Sequence, residues 1–305
     1  MRKFLTLAIA ALSSTITTNA FAAFQDPYWS ARVAALSGAF TAVSDDSSAV
    51  FYNSAAGAHV KERTASFSYA RLYAGLDEGN ISLNQLAYLH PVMEGFALGV
   101  GWGGFNSETY QETTVALSAA QDLKPLFTRY NGEISMGLSV RYLTRKFDLD
   151  ARTGPDPVFS IGSRTNDAAV DLHFYSVPEP NRLPGLSVGL SVKALNQPNI
   201  GFRDREILPT EISGGLALKR GRFLFPIDVS VRRGEVTPHL GLEASVWNNM
   251  ISLRGGYDRS QFSTGFGYQH SLSPSLSFVV DYAFLWPLEI KETSGSHRAT
   301  LGVKF

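Results

Sequence analysis

His297-Arg298-Ala299-Thr300-Leu301-Gly302-Val303-Lys304-Phe305, the last nine residues of the chain, alternate in character. The odd positions His297, Ala299, Leu301, Val303 and Phe305 make one largely apolar row, and Arg298, Thr300, Gly302 and Lys304 make a polar, basic one. A strand turns successive side chains to opposite faces, so the rows are the two faces of one strand. An aromatic residue at a chain end contributes little to an ordinary aqueous domain, where termini fray. It has a use where the strand closes a sheet whose outer face meets lipid. A Lys or Arg on that face near the midplane would cost about 2–4 kcal/mol, so the odd positions are expected outward. An edge strand of a β-sandwich shows the same alternation, and the rest of the chain has to decide.

Thirteen further segments repeat the pattern. They lie near Thr64–Tyr73, Ile81–His90, Gly95–Gly104, Gln111–Asp122, Glu133–Arg145, Asp167–Ser176, Leu186–Leu195, Thr210–Lys219, Phe223–Arg232, Val236–Trp247, Met250–Asp258, Gln261–His270 and Ser275–Leu285. Most are about ten residues long, the length of a tilted membrane-crossing strand and longer than the usual sandwich strand. An even total of fourteen suits an outer-membrane barrel with both ends toward the periplasm. Counted back from Phe305, short turns such as Asn248-Asn249 and Ser271–Pro274 fall on the periplasmic side. The long connections near Asp148–Asn166, Asn196–Pro209 and Trp286–Ser296 fall outside. The fold expected is all-β: a 14-stranded antiparallel transmembrane barrel.

Face by face, Leu276, Phe278, Val280, Tyr282 and Phe284 oppose Ser277, Asp281 and Ala283, while Ile227, Val229 and Val231 oppose Asp228, Ser230 and Arg232. If Asn248-Asn249 is a two-residue hairpin turn, Glu243 falls opposite Arg254, both inward. Asp228, Arg232, Glu243, Arg254, Asp281, Arg298 and Lys304 are therefore expected in the lumen. Charges of both signs there read first as pairs that hold register, each worth about 0.2–1 kcal/mol. A polar ion path is the alternative.

Composition agrees. The 27 basic and 27 acidic residues balance to +0, which gives no electrostatic case for nucleic acid. Arg2 and Lys3, the apolar run Phe4 to Ile16 and the Ala20-Phe21-Ala22 site have the layout of a cleaved signal peptide over residues 1–22. A retained anchor is the alternative. Beyond it no run of 18 apolar residues follows, which excludes a helical membrane protein. With no Cys, disulfides, thiolate metal sites and cysteine nucleophiles are excluded. The six His show no close metal-ligand spacing, and no metal or cofactor is expected.

Two motifs do not hold up in context. Gly185-Leu186-Ser187-Val188-Gly189 fits a nucleophile elbow, but that elbow needs a strand-to-helix turn, and Ser191 repeats the pattern within the same strand. Gly99-Val100-Gly101-Trp102-Gly103-Gly104 fits a dinucleotide fingerprint with no βαβ unit around it. No enzymatic activity is expected. Asp45-Asp46, before Ser47-Ser48, is better placed to start a helix than to hold a cation.

Residues 23–63 do not alternate. The Ala-rich run from Ala31 contains Gly38-Ala39-Phe40-Thr41-Ala42-Val43 and leads through Asp45-Asp46 to Phe51-Tyr52-Asn53-Ser54-Ala55-Ala56-Gly57. This resembles the N-terminal signature of the long-chain fatty acid outer-membrane transporter superfamily, the FadL-like barrels, in which a Gly-Ala-aromatic-Thr-Ala-Val run leads to Tyr-Asn-Pro-Ala-Gly. The Pro is missing here and one residue is inserted after Asn53. The superfamily also includes a branch that serves type IX secretion, the PorV-like barrels.

The resemblance implies that residues 23–63 plug a barrel formed by 64–305, with Phe40, Asp45, Asp46, Phe51, Tyr52, Asn53 and Gly57 among the plug residues. It implies passive transport of a hydrophobic or amphipathic small molecule, with a non-transporting assembly or secretion partner as the alternative. Its transporters release ligand through a gap in the wall. Gly99, Gly101, Gly103 and Gly104, with Trp102 outward, would permit such a lateral gate in the third strand. The same glycines would equally make room for the plug. The expected partners are outer-membrane lipid, a hydrophobic ligand, and the barrel assembly machinery acting on the strand that ends at Phe305. A monomer is the favoured state.

Overall fold

The structure is a computed structural model and describes residues 23–25, 28–76, 80–151, 153–179, 181–290 and 292–305. The expected signal peptide, residues 1–22, lies outside the described residues.

Fourteen antiparallel strands close into a barrel. They are β1 (Thr64–Arg71), β2 (Ser82–Met93), β3 (Phe96–Asn106), β4 (Tyr110–Asp122), β5 (Glu133–Phe147), β6 (Arg164–Val177), β7 (Leu186–Lys193), β8 (Glu211–Arg220), β9 (Phe223–Arg232), β10 (Glu235–Val246), β11 (Ile251–Asp258), β12 (Gln261–Ser273), β13 (Leu276–Pro287) and β14 (Ser296–Lys304). The ring shuts where β1 meets β14, from Thr64 opposite Lys304 to Arg71 opposite His297. Closure leaves no edge strand with unpaired backbone groups, which is what a lipid environment requires.

The alternation resolves as the terminal stretch indicates. Leu301 and Phe305 are exposed on the outer wall, whereas Arg298 and Thr300 are buried within. Phe305 is held by reciprocal backbone hydrogen bonds with Arg63, both 2.9 Å, and its ring stacks on Tyr88. The hairpin between β10 and β11 has φ of 53° at Asn248 and 64° at Asn249, the left-handed pair that a tight primed turn demands. That turn sets Glu243 opposite Arg254. Strands β2 and β12 run three residues beyond their expected ends, to Met93 and Ser273. Register shifts between Pro91 and Met93 and between Ser271 and Ser273 let pairing continue past a bulge.

The N-terminal segment lies inside the ring. Helix α1 (Ala31–Ala35) begins where Ser30 Oγ accepts the Val33 N–H, and it stops at Leu36. Helix α2 (Ala49–Tyr52) follows, and Asn53 Oδ1 then caps a 3-10 helix over Ser54–His59 by accepting the Ala55 N–H at 3.2 Å. Val33, Leu36, Phe40, Val50, Phe51 and Tyr52 form its apolar heart, packed against small wall residues such as Ala87, Ala116 and Ala217. Burial of this cluster, more than helix propensity over four or five residues, holds such short helices in place.

Candidate functional site: the occupied lumen

The wall carries a belt of inward glycines, and the N-terminal segment sits on it. A Cβ at Gly101 would lie 2.5 Å from Phe51 Cζ, and one at Gly103 would lie 2.7 Å from the Trp29 ring. At Gly99 it would meet Val50, at Gly137 Ser54 and Ala55, at Gly265 Ala35, and at Gly189 the Thr41 carbonyl. On β10 and β11, Gly241 and Gly256 receive the turn at Leu36 and Ser37. Absence of a side chain at these positions lets one backbone approach another. Only the β3 glycines are singled out by sequence reasoning. The others share a face with the lumen charges, and that parity was the signal available to find them.

The β3 glycines, read either as a possible lateral gate or as room for the N-terminal segment, lie in an unbroken ladder in this structure. Every residue from Phe96 to Asn106 is paired with β2 on one side and β4 on the other. Gly99, Gly101 and Gly103 face inward onto the N-terminal segment. Gly104 belongs to the opposite face, where a Cβ would lie 3.3 Å from the Trp102 ring. The space at Gly99, Gly101 and Gly103 is taken by Val50, Phe51 and Trp29 of the N-terminal segment. On the lipid side of the same region Phe67, Leu86, Val100, Trp102 and Leu301 line an apolar groove of about 680 Å³.

The lumen charges do less pairing with each other than register alone suggests. Glu243, Arg254 and Asp281 form one chain, with Arg254 Nε 2.7 Å from Glu243 Oε2 and a terminal nitrogen 2.5 Å from Asp281 Oδ1. Arg32 of α1 joins it: Nε lies 2.9 Å from Glu243 Oε2, and a terminal nitrogen lies 2.5 Å from Asp45 and 3.1 Å from Asp46. Asp228, Arg232 and Arg298 grip main chain instead. Asp228 Oδ2 accepts the Phe40 and Thr41 N–H groups at 2.9 and 2.7 Å. Arg232 donates to the carbonyls of Ala23 and Phe24, and Arg298 donates to that of Tyr28. Lys304 Nζ lies 3.4 Å from Gln269 Oε1.

The residues of the N-terminal segment divide by what they touch. Asn53 donates its amide to the Thr41 carbonyl at 2.8 Å and to the Phe174 carbonyl of β6 at 2.9 Å, tying two parts of the segment to the wall. Phe40 stacks edge-on against Tyr52 beneath the Arg32 guanidinium. Gly57 packs under Leu89. Asp46 accepts the Ser48 N–H and helps start α2, while Asp45 is given over to Arg32. No cluster of metal-binding side chains occurs among the described residues. Ser187 lies within β7 and donates to the Ala42 carbonyl at 2.6 Å, so it fastens the segment and forms no nucleophile elbow.

Among the described residues, two chambers lie beside the N-terminal segment in the lumen. The larger, about 600 Å³, lies toward the long loops and is lined by Lys193, Glu211, Asp228, Arg232 and His239 with Tyr28 at its floor. The other, about 310 Å³, lies toward the end that holds Phe305. Arg32, Asp45, Glu243, Arg254, Gln269 and Lys304 line it. Both are polar, with charges of both signs. At the loop end of β5, Phe159 and Phe202 of two long loops pack onto Phe147 at 5.2 and 5.4 Å, and Arg145 lies over Phe202 at 5.0 Å.

No protein-family model and no curated protein sequence matches the chain. Solved structures with a similar fold include the toluene transporter TbuX of Ralstonia pickettii, at 13% identity and a TM-score of 0.59, covering 90% of this chain and 97% of that one. The CymD monoaromatic hydrocarbon channel is similar at 11% identity and a TM-score of 0.61, covering 90% and 96%. A deletion mutant of the TodX monoaromatic hydrocarbon channel is similar at 9% identity and a TM-score of 0.57, covering 92% and 98%. At such identities the likeness is one of fold: this chain forms the barrel that those channels form.

Proposed function

We propose that the protein is a passive outer-membrane transporter for hydrophobic or amphipathic small molecules and carries out no enzymatic turnover. The observation that carries this reading is a closed 14-stranded barrel whose lumen is occupied by its own N-terminal segment, leaving a chamber of about 600 Å³ on the loop side. A chamber of that size suits a small ligand. The shared fold with toluene and monoaromatic hydrocarbon channels supports the same reading. Residues 23–63 act as the plug, residues 64–305 as the transmembrane wall, and the strand ending at Phe305 as the segment read by the assembly machinery. The lining adds a chemical constraint. Charged walls reward a solute with a polar group, because a pure hydrocarbon leaves those groups without partners.

The alternative, an assembly or secretion partner, would need an apolar docking patch on the long loops. Phe159 and Phe202 of those loops pack on each other and on Phe147, while Leu149, Val158 and Ile161 stay exposed. Native mass spectrometry of the detergent-purified barrel tests the proposal. A small molecule should co-purify or be retained from an added series of amphiphiles. Failure of the folded barrel to retain any of them would count against transport.

A further inference from the structure

The larger chamber is walled mainly by β7–β10 and the smaller mainly by β10–β14 and β1, so the two meet along β10. Along β10 the inward residues run Thr237, His239, Gly241, Glu243, Ser245. Thr237 and His239 line the loop-side chamber, and Glu243 and Ser245 line the periplasmic one. His239 and Glu243 are four residues apart, about 13 Å along a strand. At Gly241 between them sits Leu36, fully buried, and the neighbouring Gly256 receives the backbone of Leu36 and Ser37. The partition is therefore the turn from Leu36 to Thr41.

That turn carries Leu36 and Phe40 of the buried apolar cluster and is fastened by polar contacts from both sides. From the loop side come Asp228 on the Phe40 and Thr41 amides and His239 Nδ1, 2.7 Å from the Ser37 carbonyl oxygen. From the periplasmic side comes Arg32, clamped by Glu243, Asp45 and Asp46. Wall contacts on the opposite side are different: Val50 and Phe51 are packed onto Gly99 and Gly101, and the β3 ladder beside them is unbroken.

We propose, building on the transport reading, that the solute passes along the barrel axis on the β9–β12 side and enters the periplasm when the Leu36–Thr41 turn lifts off Gly241 and Gly256. The solute class is then an amphiphile with an ionised group. The Lys, Arg, Asp and Glu side chains on both chambers supply partners for a charge, and the apolar lining beside them takes the rest of an amphiphile. The lipid side, where the wall is apolar and continuous, offers such a solute no exit.

The chain has no Cys, so an engineered pair reports cleanly. A Cβ at Gly241 would lie 3.3 Å from Leu36 Cβ, close to the about 3.5–4.5 Å that a disulfide spans. The test is influx of radiolabelled benzenesulfonate, permanently ionised and unable to cross lipid unaided, into proteoliposomes holding the full barrel. The wild type should admit it above protein-free vesicles. The Leu36→Cys/Gly241→Cys protein should admit at least tenfold less when oxidised and recover on reduction. Arg32→Ala, which leaves the glycine belt untouched, should raise influx severalfold and serves where the double variant does not assemble. Equal influx in the oxidised and reduced forms, or no influx through either wild type or folded Arg32→Ala, overturns the axial route. Retention of an amphiphile in native mass spectrometry alongside that result would leave the transport reading standing and remove only this route.

Discussion

The Phe51 ring lies directly on the bare backbone of Gly101, with the Phe51 Cζ 2.5 Å from where a Cβ would stand. Phe51 is almost fully buried between α2 and the wall, so it has no free space to yield into. This single contact turns a glycine-rich strand that reads as a weak point into a seat. Gly101→Val should therefore destabilise the barrel by about 1–3 kcal/mol, the ordinary cost of overpacking. Gly214, which has nothing within 4 Å of a prospective Cβ, supplies the contrast. Gly214→Ala should change stability by less than about 0.5 kcal/mol. Urea unfolding of both variants in the same detergent, followed by tryptophan fluorescence, measures the difference.

Asp228 is the fastening on the other flank. It is buried and accepts two main-chain N–H groups from Phe40 and Thr41. Asp228→Ala leaves both amides without an acceptor, at about 1–3 kcal/mol for each buried group. Hydrogen exchange at Phe40 and Thr41 should quicken by at least tenfold while the β-strand amides keep their protection. Uniform loss of protection would show that Asp228 supports the barrel as a whole and not the turn.

Much of this was legible in the sequence, for physical reasons that differ by region. The strand register follows from the cost of placing Arg298 or Lys304 in lipid, and the Asn248-Asn249 turn then fixes Glu243 against Arg254. Such rules act within one strand or one hairpin, so they can be read locally. The partners of the lumen charges were less accessible. Asp228 and Arg232 bind backbone that lies about 190 to 210 residues away in the chain, and nothing in their own strands marks that. Gly99, Gly101 and Gly103 alternate onto one face, and in the structure that face meets the N-terminal segment. Whether the space they leave is a gap or a seat depended on what fills it, and Trp29, Val50 and Phe51 do.

Phe305 joins the barrel by two routes, backbone pairing with Arg63 and stacking on Tyr88. Removing it shortens the closing strand at the end where β1 begins. Deletion of Phe305, or Phe305→Asp, should lower the amount of heat-modifiable barrel in the outer-membrane fraction severalfold, with Phe305→Tyr close to wild type. Equal amounts of all three in that fraction would show that the terminal aromatic has no part in assembly.

His59 ends the 3-10 helix near the periplasmic rim, with Nε2 3.1 Å from Ser135 Oγ and Nδ1 3.5 Å from Glu133. Burial pulls its pKa below the ordinary 6.5, against the opposing pull of Glu133 and Asp122. A histidine with a lowered folded pKa contributes stability that is complete above its unfolded value and is lost as pH falls through the folded one. Protection of the Ser54–His59 amides should therefore weaken as pH drops below about 6.5. In His59→Gln that pH dependence should flatten, which exchange measured across the range will show.

The most direct test of the central claim is solute movement through the reconstituted wild-type barrel. Vesicles with an outer leaflet of lipopolysaccharide, with and without the folded protein, are to be exposed to a labelled amphiphilic aromatic acid. Passive transport predicts influx above protein-free vesicles that follows the concentration gradient and stops when it is dissipated, with the solute recovered unchanged. Influx equal to that of protein-free vesicles, with the barrel shown to be folded by its heat-modifiability, would contradict the account.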